Sequence, residues 1–350
     1  MELVCPACGD RRDGSRDRFL RLWPFMIVGA VAAEGCASKS FAPEFTRRME
    51  AGPNPPYLGQ PAPGLTPERF APGVVCTHAI ELNSVLSPDG REFYFTRVIN
   101  GVDTMLQISF ADGGWGSPRE LLLFPGSGRV ECDDMTLSPD GKELYFLSRG
   151  PSTPGRTSNY DIWRSDRLPG GWSTAKRVPP PVSTEADEYY PVIGPDGSLY
   201  VVSTRDGSHL FRFPREADGR FARATRVGHP FSPRDGDMCI SPDGNCFVVS
   251  AQRPRIGGSW KSDLHVSFRG PDAAWSEFVR LDDTFNTPNH EWCPMFSPDG
   301  RFLFFSRRSG AYDTPGWTGT TDGDVYWVDA RALEKYRPAP PRLTPPPSPR

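Results

Sequence analysis

Histidine is scarce, with 5 residues in 350. No apolar run approaches the roughly twenty residues that a membrane-spanning helix requires. Basic charge is not in excess either. The 40 Lys and Arg stand against 43 Asp and Glu, a net charge of −3, which gives no field able to hold a phosphate backbone. With no RNA-binding aromatic signature present, nucleic acid is not an expected partner. The motifs of common chemistries are missing as well: no Gly-x-Ser-x-Gly elbow, His-Glu-x-x-His pair or phosphate-binding loop occurs. His78, His209, His229, His265 and His290 are scattered without ligand spacing and read as structural. Asp313, Asp322 and Asp324 share a loop, but not with EF-hand spacing, so no metal and no cofactor is expected.

Glycine (35) and proline (39) are plentiful, which favours many short elements joined by tight turns over long helices. A 37% hydrophobic and 12% aromatic content supplies a full-sized core. The composition leans towards an all-β fold.

The first forty residues stand apart. Arg11, Arg12, Arg16, Arg18 and Arg21 precede an uncharged run from Leu22 to Ala33, followed by Gly35-Cys36, which is the layout of an export signal. Cys36 resembles the lipid-modified cysteine of bacterial lipoproteins, although Ala33 and Glu34 depart from the usual pattern. Contact with a membrane is expected only through such an anchor. Cys5-Pro6-Ala7-Cys8 has the spacing of half a zinc site without a second pair to complete it. Cys76, Cys132, Cys239, Cys246 and Cys293 are odd in number and irregular in spacing. Cys239 and Cys246 flank one turn and are the best-placed pair for a disulfide, but buried free thiols are the expectation.

Self-similarity decides the fold. Ser87-Pro88-Asp89-Gly90, Ser138-Pro139-Asp140-Gly141, Gly194-Pro195-Asp196-Gly197, Ser241-Pro242-Asp243-Gly244 and Ser297-Pro298-Asp299-Gly300 recur at intervals of roughly fifty residues. Proline presets the turn and glycine accepts positive φ, so each tetrapeptide closes a hairpin. An aromatic or β-branched run follows each turn, as in Phe93-Tyr94-Phe95 and Phe302-Leu303-Phe304-Phe305, and reads as a strand covered on both faces. A third strand and an aromatic-led fourth complete four antiparallel strands per repeat, a propeller blade.

The fifth copy ends near Tyr336 without its fourth strand. Thr66-Pro67-Glu68-Arg69-Phe70 precedes the first repeat as Ser117-Pro118-Arg119-Glu120-Leu121 precedes the second, so the N-terminal strand is predicted to complete the last blade. That arrangement removes an open sheet edge. Five blades are expected, with six as the alternative. The predicted organisation is a leader over 1–36, a linker over 37–62, the propeller over 63–337 and a Pro-rich disordered tail over 338–350.

The Ser-Pro-Asp-Gly turn leading into an aromatic strand, with Asp161-Ile162-Trp163 further on, resembles the WD40-like repeat of TolB-type periplasmic proteins. The resemblance covers about 65–337. It implies a periplasmic or outer-membrane location and a role in protein contacts. The α/β domain that precedes the TolB propeller has no counterpart here, and that propeller is usually counted as six blades.

Arg97, Arg149, Arg253 and Arg307 end second strands, and Asp103, Asp161, Asp263 and Asp324 begin third strands, which predicts four structural Arg–Asp pairs. In the third copy Ser208 replaces the aspartate, leaving Arg205 to Asp206. Six residues before each turn stand Glu81, Cys132, Glu188, Asp235 and Glu291, with Asp134 beside the cysteine. Glu81, Asp134, Glu188, Asp235 and Glu291 are therefore the candidate binding residues, a ring of negative charge at one channel mouth. Long loops open on the same mouth, with Trp260, Tyr312 and Trp317 as candidate anchors.

The leading reading is a monomeric, non-enzymatic envelope propeller that binds a protein or peptide at this mouth. The alternative is a glycan-binding or glycan-hydrolysing propeller using the same carboxylates.

Overall fold

The computed structural model describes residues 57–152, 159–232, 235–254, 260–271, 273–309 and 323–339. Its hairpins follow from the turn chemistry. In the first, Ser87 Oγ donates to Asp89 Oδ1 at 2.5 Å and accepts from the Glu92 amide at 2.9 Å, while Asp89 Oδ1 also accepts from the Arg91 amide at 3.1 Å. Gly90 takes φ +68°, which a Cβ would resist, and its amide reaches Ser87 O at 2.8 Å. The serine bonds recur at Ser138, Ser241 and Ser297. The third copy has Gly194 in the serine position, where a Cβ would lie 3.1 Å from the Tyr200 ring.

Each repeat is one antiparallel sheet. The first blade comprises β2 (Glu81–Leu86), β3 (Glu92–Ile99) and β4 (Val102–Ala111), with β5 (Gly114–Trp115) and β6 (Arg119–Glu120) both on β4. The second has β7 (Asp133–Leu137), β8 (Glu143–Ser148) and β9 (Asp161–Leu168), with β10 (Gly171–Trp172) and β11 (Lys176–Arg177) on β9. The third runs β12 (Glu188–Ile193), β13 (Leu199–Ser203), β14 (His209–Phe213) and β15 (Thr225–Arg226). The fourth runs β16 (Asp235–Ile240), β17 (Cys246–Pro254), β18 (Trp260–Phe268) and β19 (Val279–Arg280). The fifth joins β20 (His290–Phe296), β21 (Phe302–Arg308) and β22 (Gly323–Asp329) to β1 (Glu68–Arg69). The fold is a five-bladed propeller.

The N-terminal strand closes the ring. Glu68 pairs with Trp327 and Arg69 with Tyr326, and the Phe70 amide donates to Val325 O at 2.9 Å. Phe70 is fully buried, its ring centroid 4.7 Å from Phe93 of the first blade and 5.1 Å from both Phe304 and Trp327 of the fifth. The linker predicted over 37–62 gives way to the domain before its end: Tyr57 and Leu58 are buried, and Tyr57 Oη donates to Asp299 Oδ2 at 2.8 Å. Apolar clusters fill the spaces between blades, which is why the central strands show no alternation of apolar and polar residues. No helix of the described residues is long and apolar enough to cross a membrane.

Candidate functional site

Every inner strand carries a β-bulge at the same place. Register shifts between Leu82 and Val85, Asp133 and Thr136, Tyr189 and Val192, Asp235 and Met238, and Trp292 and Met295. In four of the five, a non-glycine residue takes positive φ there: Asn83, Asp134, Tyr190 and Cys293. Asp237 is the corresponding residue of the fourth blade. A bulge inserts a residue that the ladder leaves unpaired and re-aims its side chain.

Four of these five side chains converge. One carboxylate oxygen each from Asp134 and Asp237 and the Cys293 sulfur all lie within 4.8 Å of one another, and all three residues are buried. Asn83 Nδ2 lies 3.3 Å from Asp134 Oδ1 and 3.4 Å from Asp133 Oδ1. Residues from the first, second, fourth and fifth blades thus meet where the propeller axis must run. The Asp103 side chain stands beside them, 5% exposed, with no hydrogen bond or ion pair of its own among the described residues, while its carbonyl accepts from the Cys132 amide at 2.9 Å.

Burial dominates the electrostatics here. It holds the Asp103 and Asp134 carboxyls well above the usual range, with the Asp133 charge adding to both; for Asp103 only the Arg308 cation opposes this. Burial pushes Asp237 up to about 7. It pushes the Cys293 thiol well up too, helped by Asp237 and Asp134. Such a group of carboxyls is kept neutral by protons or compensated by a cation. Nearer the mouth, Glu131 accepts from Tyr160 Oη at 2.8 Å and Asp187 Oδ1 from the Tyr160 amide at 2.8 Å. The Arg149 guanidinium lies 3.9 Å from the centre of the same tyrosine ring.

The predicted ring of glutamates is internal. Glu81, Glu188 and Glu291 are all fully buried. Each carboxylate accepts from a threonine four residues earlier: Thr77 Oγ1 at 2.6 Å, Thr184 Oγ1 at 2.8 Å and Thr287 Oγ1 at 2.6 Å. Each also meets an arginine in or just after the second strand: Arg97 at 2.7 Å, Arg205 at 3.3 Å and Arg307 at 3.1 Å. These carboxylates therefore fasten the start of their own blades instead of lining an open mouth. The Asp235 side chain lies outside the described residues, as do those of Trp260 and Arg253, and all of Tyr312, Trp317 and Cys36. Of the candidate binding residues whose side chains are described, only Asp134 stands in the axial cluster.

The predicted Arg–Asp pairs are corrected in the same way. Arg97 pairs across the ladder with Thr104, while Asp103 stands opposite Val98, so the two side chains leave opposite faces of the sheet. Arg97 and Arg307 partner Glu81 and Glu291, and Arg205 bonds Glu188 instead of Asp206. Asp161, Asp263 and Asp324 take arginines of the fourth strand: Arg177 at 2.7 Å, Arg280 at 2.9 Å and Arg69 at 2.9 Å.

All five cysteines of the described residues are free and buried, including Cys239 and Cys246. At the opposite end, a cleft of about 500 Å³ between the third and fourth blades is lined by Tyr200, Arg212, Phe247, Arg269 and Trp275. Trp275 packs edge-on to Phe247 at 4.6 Å, so its ring is part of the blade.

No protein-family model and no curated protein matches the chain. Solved structures do match. TolB from Acinetobacter baumannii is 15% identical, over 72% of this chain and 57% of its own, with a TM-score of 0.40. The chain spans little more than half the length of that TolB. The gluconolactonase XC5397 from Xanthomonas campestris is 15% identical over 77% of this chain and 96% of its own, with a TM-score of 0.41. The α-L-arabinofuranosidase PaAbf62A from Podospora anserina is 11% identical over 76% and 94%, with a TM-score of 0.43. Likeness at this level carries no chemistry from one protein to another.

Proposed function

We propose that this propeller is a non-enzymatic docking protein of the cell envelope, taking a basic segment of a partner protein at the mouth where the inner strands begin. The observation that carries the reading is an imbalance of charge. Asp103, Glu131, Asp133, Asp134, Asp187 and Asp237 gather about the axis and its mouth, and among the described residues the basic groups acting on them are Arg149 and Arg308. Glu131 and Asp187 stand nearer the opening, where low-dielectric walls focus their field outwards. Hydrolysis of sugars needs two accessible carboxyl groups at a set separation. Glu81, Glu188 and Glu291, the residues best placed in sequence for that chemistry, are sealed beneath threonine and arginine.

Delivery to the envelope rests on the leader and Cys36. Cell fractionation with radiolabelled palmitate checks it: label on the parent and none on Cys36→Ala supports a lipid anchor, and an unlabelled cytoplasmic parent refutes delivery. Docking is tested on the full chain by fluorescence anisotropy with a Lys/Arg-rich peptide and an acidic peptide of equal length. The basic peptide should bind in a salt-sensitive manner and bind less well to Glu131→Gln. Equal binding of the two peptides, or none of either, overturns the reading.

A further inference from the structure

We infer that the propeller axis is a site for one divalent transition-metal ion of the zinc class, held by Asp134, Asp237 and Cys293. The inference goes beyond docking and does not depend on it. Three different blades supply the three ligand atoms, which already lie within 4.8 Å of one another. A tetrahedral zinc ion, with bonds of about 2.0–2.3 Å, sets its ligands about 3.5 Å apart, so adjustments of about 1 Å bring these atoms into place. One thiolate with two carboxylates favours an ion of intermediate softness over calcium or magnesium, which take oxygen ligands throughout. Binding balances through protons: the Cys293 thiol and any protonated carboxyl release theirs to solvent as the metal bonds form. Asn83 Nδ2 already donates towards Asp134 Oδ1 at 3.3 Å.

A second observation points the same way. The Asp103 carboxylate is buried, has no side-chain hydrogen bond or ion pair among the described residues, and its charge bears on Asp134. The Thr96 hydroxyl is fully buried, has no well-formed hydrogen bond, and faces Asp133. Buried carboxyls are ordinarily matched by a base, as Asp161 is by Arg177 and Asp263 by Arg280. Around the axis the described residues offer Arg308, acting on Asp103, and no base against Asp134 or Asp237, and a bound cation supplies the match. The axial residues also break the repeat. Where a side chain serves the blade itself the same type recurs, as with the threonine–glutamate–arginine set, whereas the bulge position holds Asn83, Asp134, Tyr190, Asp237 and Cys293.

The test uses the full chain with Cys5, Cys8 and Cys36 replaced by serine, so that no leader thiol competes, after stripping with a chelator. Zn²⁺ is titrated by calorimetry and Co²⁺ by absorbance. One equivalent of each should bind, and Co²⁺ should give a thiolate charge-transfer band. Cys293→Ser should abolish the band, and Asp134→Asn and Asp237→Asn should each weaken Zn²⁺ at least about tenfold. Cys132→Ser should leave both signals intact. Circular dichroism confirms the fold of each variant; the two asparagine variants remove buried charge and are expected to fold. No stoichiometric binding, or a band that survives Cys293→Ser, overturns the inference. Peptide anisotropy on stripped and loaded protein keeps the outcomes apart: peptide binding without metal binding refutes this site alone.

Discussion

Arg97 and Glu81 face each other across one rung of the first blade, Nε to Oε1 at 2.7 Å, with the carboxylate fully buried beneath the guanidinium. Arg307 and Glu291 repeat the relationship in the fifth blade at 3.1 Å. Removing one member strands the other. Arg97→Ala is expected to lower stability by about 3–5 kcal/mol, and the double variant with Glu81→Leu by clearly less, since both charges then leave together. Urea unfolding of Arg97→Ala, Glu81→Leu and the double variant decides the matter. A double variant as unstable as the sum of the singles would show that the pair is not coupled.

Phe70 ties the last blade to the first through Phe93, Phe304 and Trp327. Phe70→Ala should cost about 3–5 kcal/mol in thermal or urea unfolding. Deleting 63–75 should abolish cooperative unfolding altogether, because it also exposes the edge of β22. A deletion variant that melts cooperatively at the parent temperature would refute the closure.

Asp103 makes stability fall as pH rises. Burial, then Asp133 and Glu131, hold its folded pKa well above the 3.8 of the free side chain, against the opposing charge of Arg308. The native state therefore keeps a proton that the unfolded chain has released. Its contribution is complete below about pH 4 and is lost as pH climbs through the raised value, at no more than about 1.4 kcal/mol per pH unit. In chelator-treated protein, Asp103→Asn should gain on the parent steadily between mildly acidic and mildly alkaline pH. Unfolding curves that stay parallel across that range would assign the titration elsewhere.

The five thiols of the propeller are buried, and burial pushes Cys132 and Cys246 up to about 12. In the background lacking Cys5, Cys8 and Cys36, a thiol reagent should react slowly with native protein and fully once the protein is unfolded. Rapid labelling of native protein would contradict the packing of these cysteines.

Turns and blade count were legible because their causes are local: Ser87, Asp89 and Gly90 carry their geometry within four residues. The closure was legible by counting strands. Partners across a ladder were not, because a shift of one residue reverses the face. Asp103 and Arg97 look close in sequence, yet the register sets Thr104 opposite Arg97 and sends Asp103 towards the second blade. The axial cluster left almost no trace, since its members differ from blade to blade and only Asp134 drew notice. The one available signal was position: Asn83, Asp134, Tyr190, Asp237 and Cys293 stand at equal distances ahead of their turns.

Because β1 lies against β22, the segment that emerges early from the ribosome has no partner until almost the whole domain has been made. Joining such remote stretches is slow, since the intervening chain must first be brought to order. Assembly of the wheel is thus deferred until after synthesis. A polypeptide delivered unfolded across a membrane loses nothing by that delay.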